Sequence, residues 1–173
     1  MRKAVFVDRD GTLGGSEEIE YPGSFALYPE TKEHIRLLKS NGFFVFSFTN
    51  QPGISKGQST KQAFKNELYG FGMDDVYLCP HSPEEGCACR KPQTGMIDQA
   101  RKDYHLNLKE SWVIGDRFKD IQAANRSGTK SILVLTGAGK EEAVYIENDP
   151  KTYKETLIAA DLNQAIRKII TCF

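Results

Sequence analysis

The run Val5-Phe6-Val7-Asp8-Arg9-Asp10-Gly11-Thr12 (VFVDRDGT, residues 5–12) decides how this chain is read. Its first three residues are a short apolar run that ends abruptly in charge, as a strand buried inside a sheet does. Two carboxylates one residue apart are poor core material. Just past the end of a buried strand, they suit a divalent metal held beside a nucleophile. A sheet covered by helices on both faces binds ligands outside the carboxyl ends of its strands. The reading therefore turns on whether later strands deliver reactive groups to the same edge.

Residues 43–48 (FFVFSF) are a second apolar strand, rich in aromatics, followed by Thr49, Asn50, Gln51, Pro52 and Gly53. Residues 75–78 (DVYL) are a third, followed after a Cys/His cluster by Arg90 and Lys91. Residues 111–115 (SWVIG) are a fourth, ending in Asp116 with Asp120 a helical turn further on. Residues 131–135 (SILVL) are a fifth, and a short sixth fits Leu157 to Ala160. Helical patterns lie between them. One of about three turns starts at Pro29 and turns Ile35 and Leu38 inward. Others run from Thr60 to Tyr69 and from Thr94 to Tyr104. One carries Ile121 and Ala124 and stops near Gly128, and the last is capped by Asp161 with Gln164 in capping-box position.

Strands alternating with helices predict an α/β fold, a Rossmann-like three-layer sandwich with a mostly parallel central sheet. In such a sheet all these polar strand ends share one edge. Residues 13–28, with Gly14, Gly15, Pro22 and Gly23, read as a loop. TGAGK at 136–140 has the wrong glycine spacing for a phosphate loop, and Glu141 stands where Ser or Thr would follow. It reads as a solvent loop. His34, with no metal-ligand neighbour on its helix, reads as an ordinary packing or surface residue. Residues 141–157 read as charged and irregular, with no function attached.

A chain of 173 residues fits one domain, residues 1–173, with a sizeable core. Lys plus Arg and Asp plus Glu balance at 23 each, and no basic run is long enough for a nucleic-acid stripe. MRKAVFV enters the motif directly. No apolar stretch has the length of a signal peptide or a membrane span. The expectation is a soluble, cytoplasmic monomer with neither nucleic acid nor membrane as partner.

Cys79, His81, Cys87 and Cys89 form C-x-H, five residues, then C-x-C around a loop with Pro83 and Gly86. Four soft or borderline ligands at this spacing fit a tetrahedral, structural Zn²⁺ site with no open position. Such a site would pin the loop and place Arg90 and Lys91 at the rim of the cleft. Cys172 is left over as a plain terminal residue.

The strand ends together carry three or four carboxylates, a hydroxyl and a fixed cation. Phosphoryl transfer needs this set. Oxygen ligands hold Mg²⁺, cations neutralise the moving phosphoryl group, one carboxylate attacks phosphorus and another handles the proton. DRDGT after an apolar strand, Thr49 after the second, Lys91 before a helix, and IGDRFKD at 114–120 resemble the four ordered motifs of the haloacid dehalogenase superfamily of phosphatases. The resemblance spans roughly residues 4–137. It implies Asp8 as nucleophile, Asp10 as general acid/base, and Thr49 and Lys91 on the phosphoryl group. It implies Mg²⁺ on the Asp8 side chain, the Asp10 backbone carbonyl and Asp116, with Asp120 supporting that site. It also implies substrate contacts from Asn50, Gln51, Arg90 and Arg117, with Pro52 where a serine is common.

Eighteen residues between Thr12 and Thr31 are too few for a helical cap domain, and a helix, a strand and the cysteine loop use most of the forty-one between Thr49 and Lys91. No separate cap is expected, so loops must close the site. The segments TNQPGISKG and GDRFKDIQAANRSGTKSILVLTG are similar to the heptose-bisphosphate phosphatase family. The short gap between His81 and Cys87 is more like the histidinol-phosphate phosphatase family. The resemblance thus implies hydrolysis of a small phosphorylated metabolite: a sugar bisphosphate, or else histidinol phosphate. The reading from a different class is a non-catalytic, zinc-stabilised binding module, but no motif residue is missing.

Overall fold

The computed structural model describes residues 2–16 and 18–172. Six strands make one sheet: β1 (Lys3–Val7), β2 (Phe43–Asn50), β3 (Asp75–Cys79), β4 (Trp112–Gly115), β5 (Lys130–Val134) and β6 (Leu157–Ala159). Their order is β3-β2-β1-β4-β5-β6, and every pairing is parallel. Helices α1 (Thr31–Ser40), α2 (Lys61–Gly70), α3 (Gly95–Tyr104), α4 (Phe118–Ser127), α5 (Gly139–Glu147) and α6 (Leu162–Thr171) alternate with the strands.

Successive strand residues point to opposite faces, and here each face meets helices. Val5 and Val7 pack with Ile35, Leu38, Leu68, Ile166 and Ile169, which places α1, α2 and α6 on one side. Ala4 and Phe6 point the other way, into a cluster with Met96, Ile97 and Ala124 of α3 and α4. Ile121, Leu133, Ala143 and Ile146 extend that layer under α5. The result is the three-layer arrangement that the alternating pattern predicts.

The chain leaves β1 in one direction, through β2 to β3, and returns to pair β4 on the other side of β1. β1 therefore borders the point where strand order reverses, and a crevice opens there at the carboxyl ends. Asp8 stays tied between the strands, its backbone N–H donating to the Ile114 carbonyl at 2.9 Å. Among the described residues between Thr12 and Thr31 there is no helix, only turns and isolated bridges of Gly14 to Asp10 and to Leu27. No cap domain is present there.

Two local readings change. The first helix begins at Thr31, not Pro29, because Glu30 takes a left-handed conformation (φ 61°) that breaks the helical path. Thr31 Oγ1 instead donates to the Tyr28 and Leu13 carbonyls at 2.9 and 3.1 Å. Of residues 141–157, read as irregular, those up to Glu147 belong to helix α5, which starts at Gly139 inside the TGAGK segment. Its inward face is narrow, with Ala143 and Ile146 as its buried apolar residues, so the periodic signal is weak. His34 is buried at the α1 packing face, as an ordinary core-edge histidine.

Candidate active site

Lys91 lies at the centre of the site. Its Nζ is 2.9 Å from Asp8 Oδ1 and 2.6 Å from Asp120 Oδ1, and donates to the Phe48 carbonyl at 2.8 Å. The side chain is 1% exposed. Burial works against its charge, but Asp120 and Asp8 outweigh it and raise its pKa, so the ammonium is fixed. Lys91 belongs to the loop between the cysteine cluster and α3, and Asn50 at the end of β2 holds its backbone. Asn50 Oδ1 accepts from the Lys91 N–H at 3.0 Å, and its Nδ2 donates to the Lys91 carbonyl at 3.3 Å.

Carboxylate oxygens of Asp8, Asp116 and Asp120 lie within 4.8 Å of one another, and all three residues are buried. One lysine cannot balance three anions. Burial and the Asp8 charge push the Asp116 pKa up to about 7, against the Ala138 N–H that donates to it. Burial raises Asp120 to about 6, with Lys91 opposing. Asp116 Oδ2 accepts from Ala138 N–H at 2.9 Å, while its buried Oδ1 has no hydrogen-bond partner. An anionic surplus, hard oxygen donors and an unsatisfied buried oxygen fit a divalent cation such as Mg²⁺.

The spacing of the fourth motif has a geometric cause. Asp120 occupies the first turn of α4, where its Oδ2 accepts from the Arg117 N–H at 3.0 Å. One oxygen caps the helix while the other reaches Lys91. Arg117 is half-exposed at the rim, 3.9 Å from Asp116 and 3.6 Å from Glu142.

The Asp10 carboxylate stands apart from the three-carboxylate group. Arg9 Nη1 donates to its Oδ1 at 2.6 Å and Gln51 Nε2 to its Oδ2 at 2.7 Å. The same Gln51 nitrogen donates to Thr49 Oγ1 at 2.9 Å, leaving the threonine hydroxyl proton free for another acceptor. Burial raises the Asp10 pKa, opposed by Arg9 and assisted by Asp8. Nearly half of its side chain stays open to the cleft. Asn50 and Gln51, expected to touch substrate, thus engage Lys91, Asp10 and Thr49 inside the site. Arg90 reaches back to the His81 carbonyl at 3.2 Å.

Two contributors escape the sequence reading. Arg9 is fully buried behind Asp10. The TGAGK segment is not a solvent loop. Thr136 Oγ1 donates to the Gly11 carbonyl at 2.6 Å, and Ala138 N–H holds Asp116. Gly11 (φ 80°) and Gly137 (φ 53°) face each other across that carboxylate, and a Cβ on either would collide with it. A short pair of glycines beside Thr136 was the available signal. It was masked because the segment resembles a failed phosphate loop.

The cysteine cluster is assembled but carries no disulfide. Cys79 Sγ lies 3.5 Å from both His81 Nδ1 and Cys87 Sγ, and Cys89 Sγ lies 3.2 Å from His81 Nδ1 and 3.4 Å from Cys87 Sγ. Tetrahedral Zn²⁺ with Zn–S near 2.3 Å and Zn–N near 2.0 Å needs about 3.8 Å between sulfurs and about 3.5 Å from sulfur to nitrogen, so the four groups stand close to a coordination shell. Burial opposes ionisation of Cys87, but sulfur and backbone hydrogen bonds outweigh it and bring its pKa down to about 6.

A family model described as HAD-hydrolase-like matches residues 88–165. A Haemophilus ducreyi protein named D-glycero-beta-D-manno-heptose-1,7-bisphosphate 7-phosphatase is 34% identical over 87% of this chain and 90% of its own length. The chain belongs to the haloacid dehalogenase-like hydrolase family. The Escherichia coli K12 protein of the same name is 35% identical over 95% of this chain and 94% of its own. A crystal structure of D,D-heptose 1,7-bisphosphate phosphatase from B. bronchiseptica, complexed with magnesium and phosphate, superposes with a TM-score of 0.84 at 27% identity, covering 99% of both chains. Within this family the chain is a phosphatase, a phosphoric monoester hydrolase. Among the described residues no helix is long and apolar enough to cross a membrane.

Proposed function

We propose that this phosphatase removes the 7-phosphate of D-glycero-D-manno-heptose 1,7-bisphosphate through an aspartyl phosphate on Asp8. The observation that carries the chemistry is Lys91 Nζ, 2.9 Å from Asp8 and 2.6 Å from Asp120, beside the unpartnered Asp116 oxygen. The names of the relatives support the substrate. Residues 1–173 act as one domain in this reading.

The Asp8 carboxylate, held beside Lys91, attacks phosphorus as the bond from phosphorus to the sugar oxygen breaks. Asp10 gives its proton to that leaving oxygen. Water then attacks phosphorus of the acyl phosphate and yields its proton to Asp10. The bond from phosphorus to Asp8 breaks, inorganic phosphate leaves, and both carboxylic groups return to their starting states. Lys91 and the Thr49 hydroxyl hold phosphoryl oxygens throughout. Asp8, Asp116 and the Asp10 carbonyl would hold Mg²⁺, with Asp120 alongside; bound, it neutralises charge on the phosphoryl oxygens. In this reading Arg90 and Arg117 meet the rest of an anionic substrate. Cys79, His81, Cys87 and Cys89 hold structural Zn²⁺ in this reading.

The test is phosphate release with Mg²⁺ from both anomers of heptose bisphosphate, histidinol phosphate and common sugar phosphates. Heptose bisphosphate should give the highest kcat/KM, and Mg²⁺ withdrawal should abolish turnover. Preference for histidinol phosphate would overturn the substrate while leaving the chemistry standing. Asp8→Asn should fold and be inactive, and turnover in that variant would overturn the aspartyl-phosphate route.

A further inference from the structure

Arg9 has no place in the chemistry above, yet among the described residues it is the largest fully buried side chain. Its guanidinium is engaged on every side. Nε and Nη2 form a two-pronged pair with Glu67 at 2.8 and 3.1 Å. Nη1 donates to Asp10 Oδ1 at 2.6 Å and to the Glu20 carbonyl at 2.9 Å. The Phe25 ring lies 3.7 Å from the guanidinium carbon and the Phe64 ring 4.9 Å from it. Glu67 and Phe64 belong to α2, whereas Glu20 and Phe25 belong to the loop between β1 and α1.

A buried arginine–glutamate pair adds little net stability, because desolvation offsets its attraction. Stability alone is a weak reason to place one here. Geometry supplies a better one. A carboxylate that must deliver a proton to the leaving oxygen needs a fixed direction, and a surface aspartate has two free rotors. Arg9 and Gln51 each take one oxygen of Asp10, so the carboxylate plane is set from both sides. Only a planar fork can grip Glu67 and still turn an N–H to Asp10.

We propose that Arg9 is the positioning residue for Asp10, clamped by Glu67 between two phenylalanine rings, and that its bond to Glu20 ties the β1–α1 loop to the same device. The inference rests on the acid/base role of Asp10 stated above. Leaving-group dependence tests it. A p-nitrophenolate departs without a proton, whereas a sugar alkoxide requires one. General-acid help contributes about 10²–10⁴-fold, and misdirecting it forfeits part of that.

The experiment measures kcat/KM for p-nitrophenyl phosphate and for a sugar phosphate in Glu67→Gln, Arg9→Lys and Asp10→Asn, with thermal melting as the check on folding. Glu67→Gln keeps the shape and removes the charge that holds the fork, so it decides the matter if Arg9→Lys does not fold. Both Arg9→Lys and Glu67→Gln should lose about 10-fold or more in kcat/KM on the sugar phosphate while retaining kcat/KM for p-nitrophenyl phosphate, which reports only the step before water enters. Equal losses on both substrates, or no loss on either, would overturn the positioning role. Asp10→Asn separates the two levels. If it discriminates between substrates and Glu67→Gln does not, the inference alone falls. If Asp10→Asn fails to discriminate, the acid/base role falls and the inference with it.

Discussion

Replacing Asp116 by asparagine should stabilise the Mg²⁺-free protein while abolishing its activity. Asp116 titrates near 7 in the fold against an ordinary 3.8, because it is buried beside Asp8. A carboxylate whose folded pKa is raised favours the fold while protonated and opposes it once ionised. The opposition begins above the unfolded value, grows with pH, and is complete above the folded value. Each pH unit between the two is worth about 1.4 kcal/mol, or about 4 kcal/mol in total as an upper figure. Asparagine keeps an oxygen for the Ala138 N–H and removes the charge. In Mg²⁺-free buffer with the cysteine site left filled, urea unfolding at pH 8 should show Asp116→Asn more stable by about 2–4 kcal/mol. The advantage should shrink as pH falls from 7 towards 4. Added Mg²⁺ should raise wild-type stability and leave the variant unmoved. A variant less stable than wild type at pH 8 without Mg²⁺, or one that Mg²⁺ still stabilises, would refute the view of Asp116 as a strained ligand.

Two further outcomes follow from other parts of the structure. Cys87→Ser should reduce tightly bound zinc from about one per chain to near zero, with a lower melting temperature; unchanged metal content and melting would refute a structural zinc site. Gly137→Ala should destabilise the protein by about 1–3 kcal/mol through its positive φ, and should cut kcat by displacing Asp116. Unchanged kinetics in the folded variant would refute the close packing of that loop on the carboxylate.

The strands and the strand-end residues were legible because they depend on local pattern. An apolar run ending in polar residues reads the same in sequence as in the fold, and Asp8, Thr49 and Asp116 all follow such runs, whereas Lys91 comes only after the cysteine loop that leaves β3. Asp120 was legible by its spacing, since a residue one turn into a helix can cap it and still face the sheet edge. Other features depend on partners far away in sequence. Glu67 gives no sign in its helix that it grips Arg9, fifty-eight positions earlier. The family resemblance implies substrate contacts for Asn50 and Gln51, and it carries no information on which neighbours their side chains meet in the fold. Their amides are instead engaged with Lys91 and Asp10. The composition of the TGAGK segment is explained by its contacts with Gly11 and Asp116, 125 and 22 positions away.

The strand order has a consequence for how the protein is made. β1 precedes its β2 partner in the chain by fewer than fifty residues. Its other neighbour, β4, comes only after residue 111, so one flank of an apolar central strand has no partner while the intervening chain is synthesised. Unpaired strand flanks of this kind template wrong pairings. Asp8 follows β1 directly, but one contact that shapes its surroundings, Thr136 to Gly11, spans 125 positions. Catalytic competence therefore arrives late and all together, when β5 and the turn after it dock. A nascent or truncated chain ending before residue 137 would carry Asp8, Lys91 and Asp116 without the turn that holds them in register.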